Sequence, residues 1–470
     1  MLDFAIFAVT FVIILIITVI YLYPGSTRTT TIPGRDPSDV KEGNIPDISA
    51  AGGFHEFLCE LHSEYGDIAS FYYGTKLCVS LASVDLWKQH RNVFDKPSDL
   101  FVLFQPLIGE NSIMFTNKGA GRSRRKLQEK CFEEQALKKY TGIFHETCQE
   151  LVTKFKSLAK DEHIPLCQYM TALALKSLLK TAFGDYFNDP RAILELKKNF
   201  NICWHELEHR LTEGEAEDSS RQQQFDKAVD GLKTLFSKVI EQRKAMPEKE
   251  KKTQLLIDVL MECSGSEEQV INDAITYLLM GFHNTAYLLA WGLYYLASHK
   301  DVEDKVFREL EDVLGDGGLV NADNQAKLVY LHQVIKETLR CSNLWPWTAR
   351  CQDIDVEIGG HVVPKNTPVV HALGVVLQDE KSWPLPNNFD PDRFSKENSE
   401  ARDPLAFSPF GFAGQRGCPA AKYSCAEAVI VLAGLCKHFK WNMVEGQVVE
   451  YKYGLVSYPR EEIWVTVEAR

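Results

Sequence analysis

One cysteine in this chain stands where a thiolate would be chemically useful. The run Pro409-Phe410-Gly411-Phe412-Ala413-Gly414-Gln415-Arg416-Gly417-Cys418 is rich in glycine and leads into a helix expected from Pro419. Backbone N–H groups at a helix start, together with the helix dipole, favour an anion, and proline suits the first helical turn. Gly411, Gly414 and Gly417 let the backbone pass close to a bulky flat partner, and Arg416 brings a fixed positive charge near the thiol. A thiolate so placed is suited to ligate a metal, and a lone thiolate suits a haem iron better than zinc. Taken alone, the loop reads as readily as a structural turn with a buried cysteine.

Three other constellations carry chemistry. Glu337-Thr338-Leu339-Arg340 sets an acid and a base on one helix face; an isolated pair of this kind is usually a surface ion pair. Asn388-Phe389-Asp390-Pro391-Asp392-Arg393-Phe394 is an aromatic, proline-bounded stretch with one arginine. His205-Glu206-Leu207-Glu208-His209 matches the H-E-x-x-H pattern of zinc proteases, in which both histidines face one way on a helix. Against that reading stand Glu208, a charge where such sites are apolar, and the acidic run Glu213–Asp218 of a solvated helix end.

These residues need a scaffold, and the chain is long enough for one large helix-rich domain, with 470 residues, 45% of them hydrophobic and 25% charged. A net charge of −12 argues against a nucleic-acid binder. The 12 cysteines include no C-x-x-C pair or zinc-finger spacing, which points to a reducing compartment. No Asn-x-Ser/Thr sequon is present, in weak agreement. Strands are expected at Ile68–Tyr73 and Leu77–Ala82 around Gly74-Thr75-Lys76, and a Gly-Gly hairpin over 356–363. Ser266 to Gln269 fits a capping box, and no proline follows before Lys300. That spacing predicts a helix of about 30 residues. Its middle, Ile275 to Leu296, is apolar nearly all round, as in a helix buried in a large core. Shorter helices are expected at Val302–Leu314 and Leu328–Leu339.

Phe4 to Tyr23 holds no charged residue. At about 1.5 Å per residue the run matches a bilayer core of about 30 Å. A cleaved signal peptide fits less well, because such peptides follow a basic start with a shorter apolar stretch. The organisation expected is therefore an anchor over residues 1–24, a proline- and glycine-rich linker over 25–49 and a catalytic domain over 50–470.

The long helix, Glu-x-x-Arg, Pro-Asp-Arg-Phe and Gly-x-Arg-x-Cys occur here in the order and spacing of the cytochrome P-450 superfamily, and the resemblance covers nearly the whole chain. Within it the chain is similar to family 20, subfamily A, through its first ten residues and through Ala372–Asp379 and Val444–Val448. The resemblance implies a mainly α fold with small β-sheets. It implies haem b, ligated by Cys418, with Arg125, Arg350 and Arg416 on its propionates and Gly414 and Phe412 in the binding loop. Glu337, Arg340 and Arg393 would form a structural triad. The reaction implied is insertion of one oxygen atom from O2 into a small lipophilic substrate, with Phe101, Phe104, Phe282 and Leu344 as candidate lining. Electrons would come from NADPH through a membrane flavoprotein reductase, with cytochrome b5 as a further donor. Arg124, Lys126 and Lys130 are candidate docking charges, and a solvated helix face reads as well. The location implied is the endoplasmic reticulum, as a single-pass protein with its catalytic domain cytosolic.

The pattern is broken at the oxygen-activating step. Where the family usually carries an acid and a threonine, this chain has His283 and Asn284, followed by Thr285. Histidine shuttles protons and asparagine holds water, so an altered relay through these three is one expectation. A core histidine is another. The departure keeps three alternatives open: a haem-thiolate isomerase, a peroxide-using enzyme, and a tethered haem binder with little turnover. Gly121 stands where a tryptophan is expected, and Ala420 where a glycine is.

Overall fold

Helices make up most of the computed structural model, which describes residues 30–159, 161–213, 219–247 and 254–470 together with Phe11, Leu15, Lys249 and Lys251. Seven of them position the site. They are α1 (Lys118–Glu129), α2 (Glu134–Lys156), α3 (Leu166–Ala182), α4 (Pro190–Glu213), α5 (Glu267–Ser298), α6 (Val329–Ser342) and α7 (Ala421–His438). Strands β1 (Ile68–Tyr73), β2 (Lys76–Leu81), β3 (Thr348–Arg350) and β4 (Val369–His371) form a sheet ordered β1-β2-β4-β3, parallel only between β2 and β4. The first hairpin lies within a residue of its expected bounds. Val356–Ile358 pairs with His361–Val363 across Gly359 (φ +60°) and Gly360 (φ +78°). Such a two-residue turn needs positive φ at both positions, which glycine supplies at little cost.

The long helix starts as its sequence implies. Ser266 Oγ accepts the Gln269 N–H at 3.2 Å, while Gln269 Oε1 accepts from the Gly265 N–H at 2.8 Å instead of closing the reciprocal arm on Ser266. From Val270 onward most residues of α5 are buried. Its faces pack on α3, α6 and α7, so the all-round apolar pattern reflects contact on every side. Each buried Leu or Phe contributes about 1.5–3 kcal/mol. Aromatic stacking secures the C-terminal half, with Trp291 on Tyr451 at 4.4 Å and Tyr295 on Phe389 at 4.1 Å.

The expected single-pass membrane anchor, and the localisation built on it, are corrected here. Among the described residues no helix is long and apolar enough to cross a membrane. The longest apolar helix, α5, turns its surface to protein and carries buried Asn272, Asp273 and His283. Of the run Phe4 to Tyr23, only Phe11 and Leu15 are among the described residues. Part of the expected linker belongs to the domain. Ile32 is buried against Val79 and Trp87, and the Asn44 side chain bridges Asp36 O and the Tyr72 N–H at 2.8 Å each.

Candidate functional site

Two elements bring Cys418 to the centre of the fold. The loop before it doubles back so that the Cys418 N–H donates to Phe410 O at 2.7 Å. Gly411 (φ +70°) and Gly414 (φ +60°) make the reversal, in a conformation that side-chain-bearing residues rarely adopt. A Cβ on Gly414 would collide with the backbone of Val93 and Phe94. The helix begins at Ala421 rather than Pro419. Cys418 is exposed, and what it faces is a cavity of about 1540 Å³, part of it open to solvent. Protein surrounds that cavity, so burial pushes the thiol up. The Ala420 N–H and the charges of Arg125 and Lys96 oppose that shift.

The loop presents one side to the cavity and the other to a cleft. Phe410 and Gly411 line the cavity beside Cys418. Phe412 and Gly414, the two expected in cofactor binding, line the outer cleft with Arg91 and Arg122. Phe412 stacks on Trp87 at 5.1 Å and packs against His371 at 5.1 Å. These two positions therefore brace the loop from behind, and the backbone twist at Gly411 is what divides the roles.

Four cations gather around the cavity. Arg416 donates to Ile113 O at 2.9 Å and Thr116 O at 2.8 Å, and among the described residues its buried Nε has no hydrogen-bond partner. Arg125 pairs with Glu129 at 2.7 Å and donates to Gly417 O. Arg350 is fully buried and donates to Arg416 O at 3.2 Å; it supports the loop and does not line the cavity. Lys96, which sequence reasoning missed, lines it. Burial and the neighbouring Arg416, Arg350 and Arg125 hold its amine far below the ordinary range. A lone lysine before Pro97 offers no local signal, since its neighbours come together only in the fold. So much positive charge with a single carboxyl, Glu427, among the lining residues calls for an anionic ligand. The walls above Cys418 are apolar, with Phe101, Ile113, Met280, Phe282 and Leu344. A cysteine sulfur, two arginines, a lysine and apolar walls fit a flat macrocycle that bears carboxylates, whose charge would favour the protonated lysine, so the residues present fit haem. Phe104, expected among the lining, lies in the core beside it.

The three distal residues diverge. Asn284 lines the cavity and donates to Met280 O at 3.1 Å. Thr285 lines it too, with its hydroxyl 3.0 Å from Ser424 Oγ. His283 turns away into an aromatic box, with ring centroids 4.2 Å from Trp204 and 5.5 Å from Phe200. Among the described residues its Nδ1 has no hydrogen-bond partner. Burial, reinforced by His205, pushes its pKa down to about 3. The imidazole is neutral in the folded chain, while an unfolded chain takes up a proton below about 6.5. Stability carried by the neutral ring is therefore complete above that value and lost as pH falls towards 3. The loss from this residue is about 2 kcal/mol between roughly pH 7 and pH 5. His283→Gln is expected to flatten that dependence, read as the urea midpoint at the two pH values.

Two further expectations meet plain geometry. Arg124, proposed as a docking charge, bonds Asp273 Oδ2 at 2.5 Å and Thr116 Oγ1 at 2.8 Å, so it is taken up within the fold; Lys126 and Lys130 are exposed. In the H-E-x-x-H stretch on α4, Glu206 is buried and pairs with Arg210 at 2.8 Å and Arg221 at 3.1 Å. A carboxylate neutralised twice is no general base, and among the described residues no group of three His, Cys, Asp or Glu is placed to hold a metal. At Gly121, a Cβ would meet the Thr116 carbonyl and come within 3.2 Å of Phe94. A tryptophan therefore has no room there.

Comparison with known proteins adds to this geometry. The family model described as Cytochrome P450 matches residues 41–466. Cytochrome P450 20A1 of Homo sapiens is 35% identical over 474 residues, covering 100% of both chains. Its namesake from Bos taurus is 34% identical over 474 residues, with the same 100% coverage. Cytochrome P450 4V2 of Mus musculus is 28% identical over 417 residues, covering 79% of this chain and 76% of its own.

Proposed function

The chain belongs to the cytochrome P450 family, and we propose that it inserts one oxygen atom from O2 into a small lipophilic substrate bound above Cys418. Proteins of this family bind haem b through a cysteine thiolate and generally draw electrons from a reductase partner. The observation that carries the reading is the single cavity in which the Cys418 thiol, the cations Lys96, Arg125 and Arg416, and an apolar wall meet. When bound, haem supplies the activation of O2, favoured by electron donation from a thiolate ligand.

The chain's own residues do the rest. Cys418 would be the ligand, with Phe410 and Pro419 lining the cavity beside it. Arg125, Arg416 and Lys96 would hold the haem carboxylate groups by charge-assisted hydrogen bonds, with Arg350 stiffening the loop through Arg416 O. Phe101, Phe282 and Leu344 take an apolar substrate out of water, worth about 25 cal/mol per Å² of surface buried. Asn284, with its amide nitrogen committed to Met280 O, offers its oxygen to a water, and Thr285 keeps its hydroxyl on Ser424. Electrons arrive from NADPH through a flavoprotein reductase docked by exposed Lys126, Lys130 and Arg122, an attraction that weakens with salt.

The test is the absorption band of the reduced, carbon monoxide-bound protein, which reports a thiolate ligand; a haem protein without that band would sink the proposal. A second reading, peroxide as the working oxidant, is favoured by Asn284 in place of the usual hydroxyl. Asn284→Thr in a reconstituted assay separates the two. If reductase-driven turnover rises about tenfold or more while peroxide-driven turnover does not, Asn284 limits oxygen activation.

A further inference from the structure

One face of α5 forms a wall of the cavity. Thr276, Met280, Asn284 and Leu288 follow one another at four-residue spacing, and all four line it. Tyr277 and Thr285 lie beside them and line it too. What each polar group on this face has already bonded decides what it can still offer a ligand. Thr276 donates its proton to Asn272 O at 2.7 Å. The Tyr277 hydroxyl donates to Gln128 Oε1 at 2.9 Å. The Thr285 hydroxyl is paired with Ser424 Oγ at 3.0 Å. All three are turned towards protein.

Asn284 differs. Its side chain reaches back one turn and donates from Nδ2 to Met280 O at 3.1 Å. A carbonyl only accepts, so the nitrogen and oxygen of this amide cannot be exchanged. The oxygen is left on the other side, and among the described residues no donor bonds to it. Nor is it sealed within the protein. Asn284 is half-buried where Phe282, His283, Thr285 and Ala286 are buried, and it borders the cavity. Around it the wall is apolar, with Met280 one turn before and Leu288 one turn after. A lone acceptor in such a wall selects among ligands, because a ligand without a donor strands it. Charge narrows the choice. Lys96, Arg125 and Arg416 line the same cavity and oppose a cationic donor. A carboxylate would set its own oxygen lone pairs against those of the amide. A neutral hydroxyl meets both conditions.

We propose that Asn284 determines specificity and that the substrate is a lipophilic alcohol, whose hydroxyl donates to Asn284 Oδ1 and replaces the water held there. This rests on the haem-thiolate reading of the cavity. Apolar contacts with the walls have no direction, so they hold the body of such a molecule without orienting it. One hydrogen bond to a fixed oxygen supplies the orientation. The Met280 carbonyl supports this role by holding the amide in place.

The experiment uses the full chain with haem, and measures dissociation constants by equilibrium dialysis and by the absorption change of the ferric haem. Cyclododecanol is compared with cyclododecanone, menthol with menthone, and dodecanol with dodecanoate. Each alcohol shares its skeleton with its ketone, but only the alcohol has a proton to donate. The alcohols are expected to bind about three- to tenfold more tightly than their ketones, the net worth of one hydrogen bond. Dodecanol is expected to bind more tightly than dodecanoate. Asn284→Leu keeps the size and removes the acceptor, and is expected to erase the preference by weakening the alcohols. The comparison on the unaltered chain stands whether or not that variant folds. Alcohols that bind no more tightly than their ketones, or do not bind, overturn the proposal. So does a preference that persists in Asn284→Leu, and so does dodecanoate binding more tightly than dodecanol. Should the unaltered chain lack the thiolate band, the haem-thiolate reading fails first and takes this one with it. With the band present, a missing preference for the alcohols is the failure of this proposal alone.

Discussion

Replacing Glu337 with alanine is expected to cost about 3–5 kcal/mol and to leave little stably folded protein. Glu337 and Arg340 are both fully buried. Arg340 closes a fork on the carboxylate, with Nε and one terminal nitrogen each 2.8 Å from an oxygen. Arg393 Nε is 3.3 Å from the same carboxylate, out of line for a hydrogen bond. The Asp390 N–H adds a bond at 2.9 Å. Arg340 also donates to Leu377 O at 3.1 Å and Asn388 O at 3.2 Å, so the cluster ties α6 to two separate segments. Without Glu337 two guanidinium groups remain in a dry interior with nothing to neutralise them. A domain's whole stability is about 5–15 kcal/mol, so the loss is a large share. The measurement is soluble yield and urea midpoint. Arg340→Lys is expected to rescue poorly, because an ammonium cannot reproduce the planar fork. A Glu337→Ala protein as stable as the original would show the cluster to be dispensable.

Cys418→Ala is expected to abolish the thiolate band of the reduced, carbon monoxide-bound protein and to drop reductase-driven turnover to background. Two features make this separable from misfolding. The backbone of the loop is held from outside the side chain, by the Cys418 N–H on Phe410 O, the Gly414 N–H on Arg91 O at 2.6 Å and the Arg350 contacts. The thiol's own partner is the Ala420 N–H, on the helix side of the loop. The variant should therefore keep its fold, read as the thermal midpoint, and some affinity for haem through Arg125, Arg416 and Lys96. If the same thiolate band survived the substitution, another residue would have to be the ligand.

Much of the architecture could be read along the chain. Local rules sufficed for the long buried helix, for the Ser266 cap and for both glycine-turn hairpins. They also sufficed for the face shared by Glu337 and Arg340, because periodicity and short spacing act within a few residues. The anchor inferred from Phe4 to Tyr23 is the counter-case: an apolar run tells only that water is unfavourable, and the described helices offer none that spans a membrane.

By itself, then, the sequence determined the family, the thiolate loop and the elements that carry it. Only the tertiary structure decided which atoms face the cavity. The twist at Gly411 turns Phe410 inward and Phe412 outward. Trp204 and Phe200 of α4 draw His283 away from Asn284. Asp273 claims Arg124, leaving Lys96 and Glu427 to enter a site that no motif assigns them. The reason is physical. Spacing sets which residues share an element, whereas charge, burial and the direction of a side chain depend on neighbours hundreds of residues away.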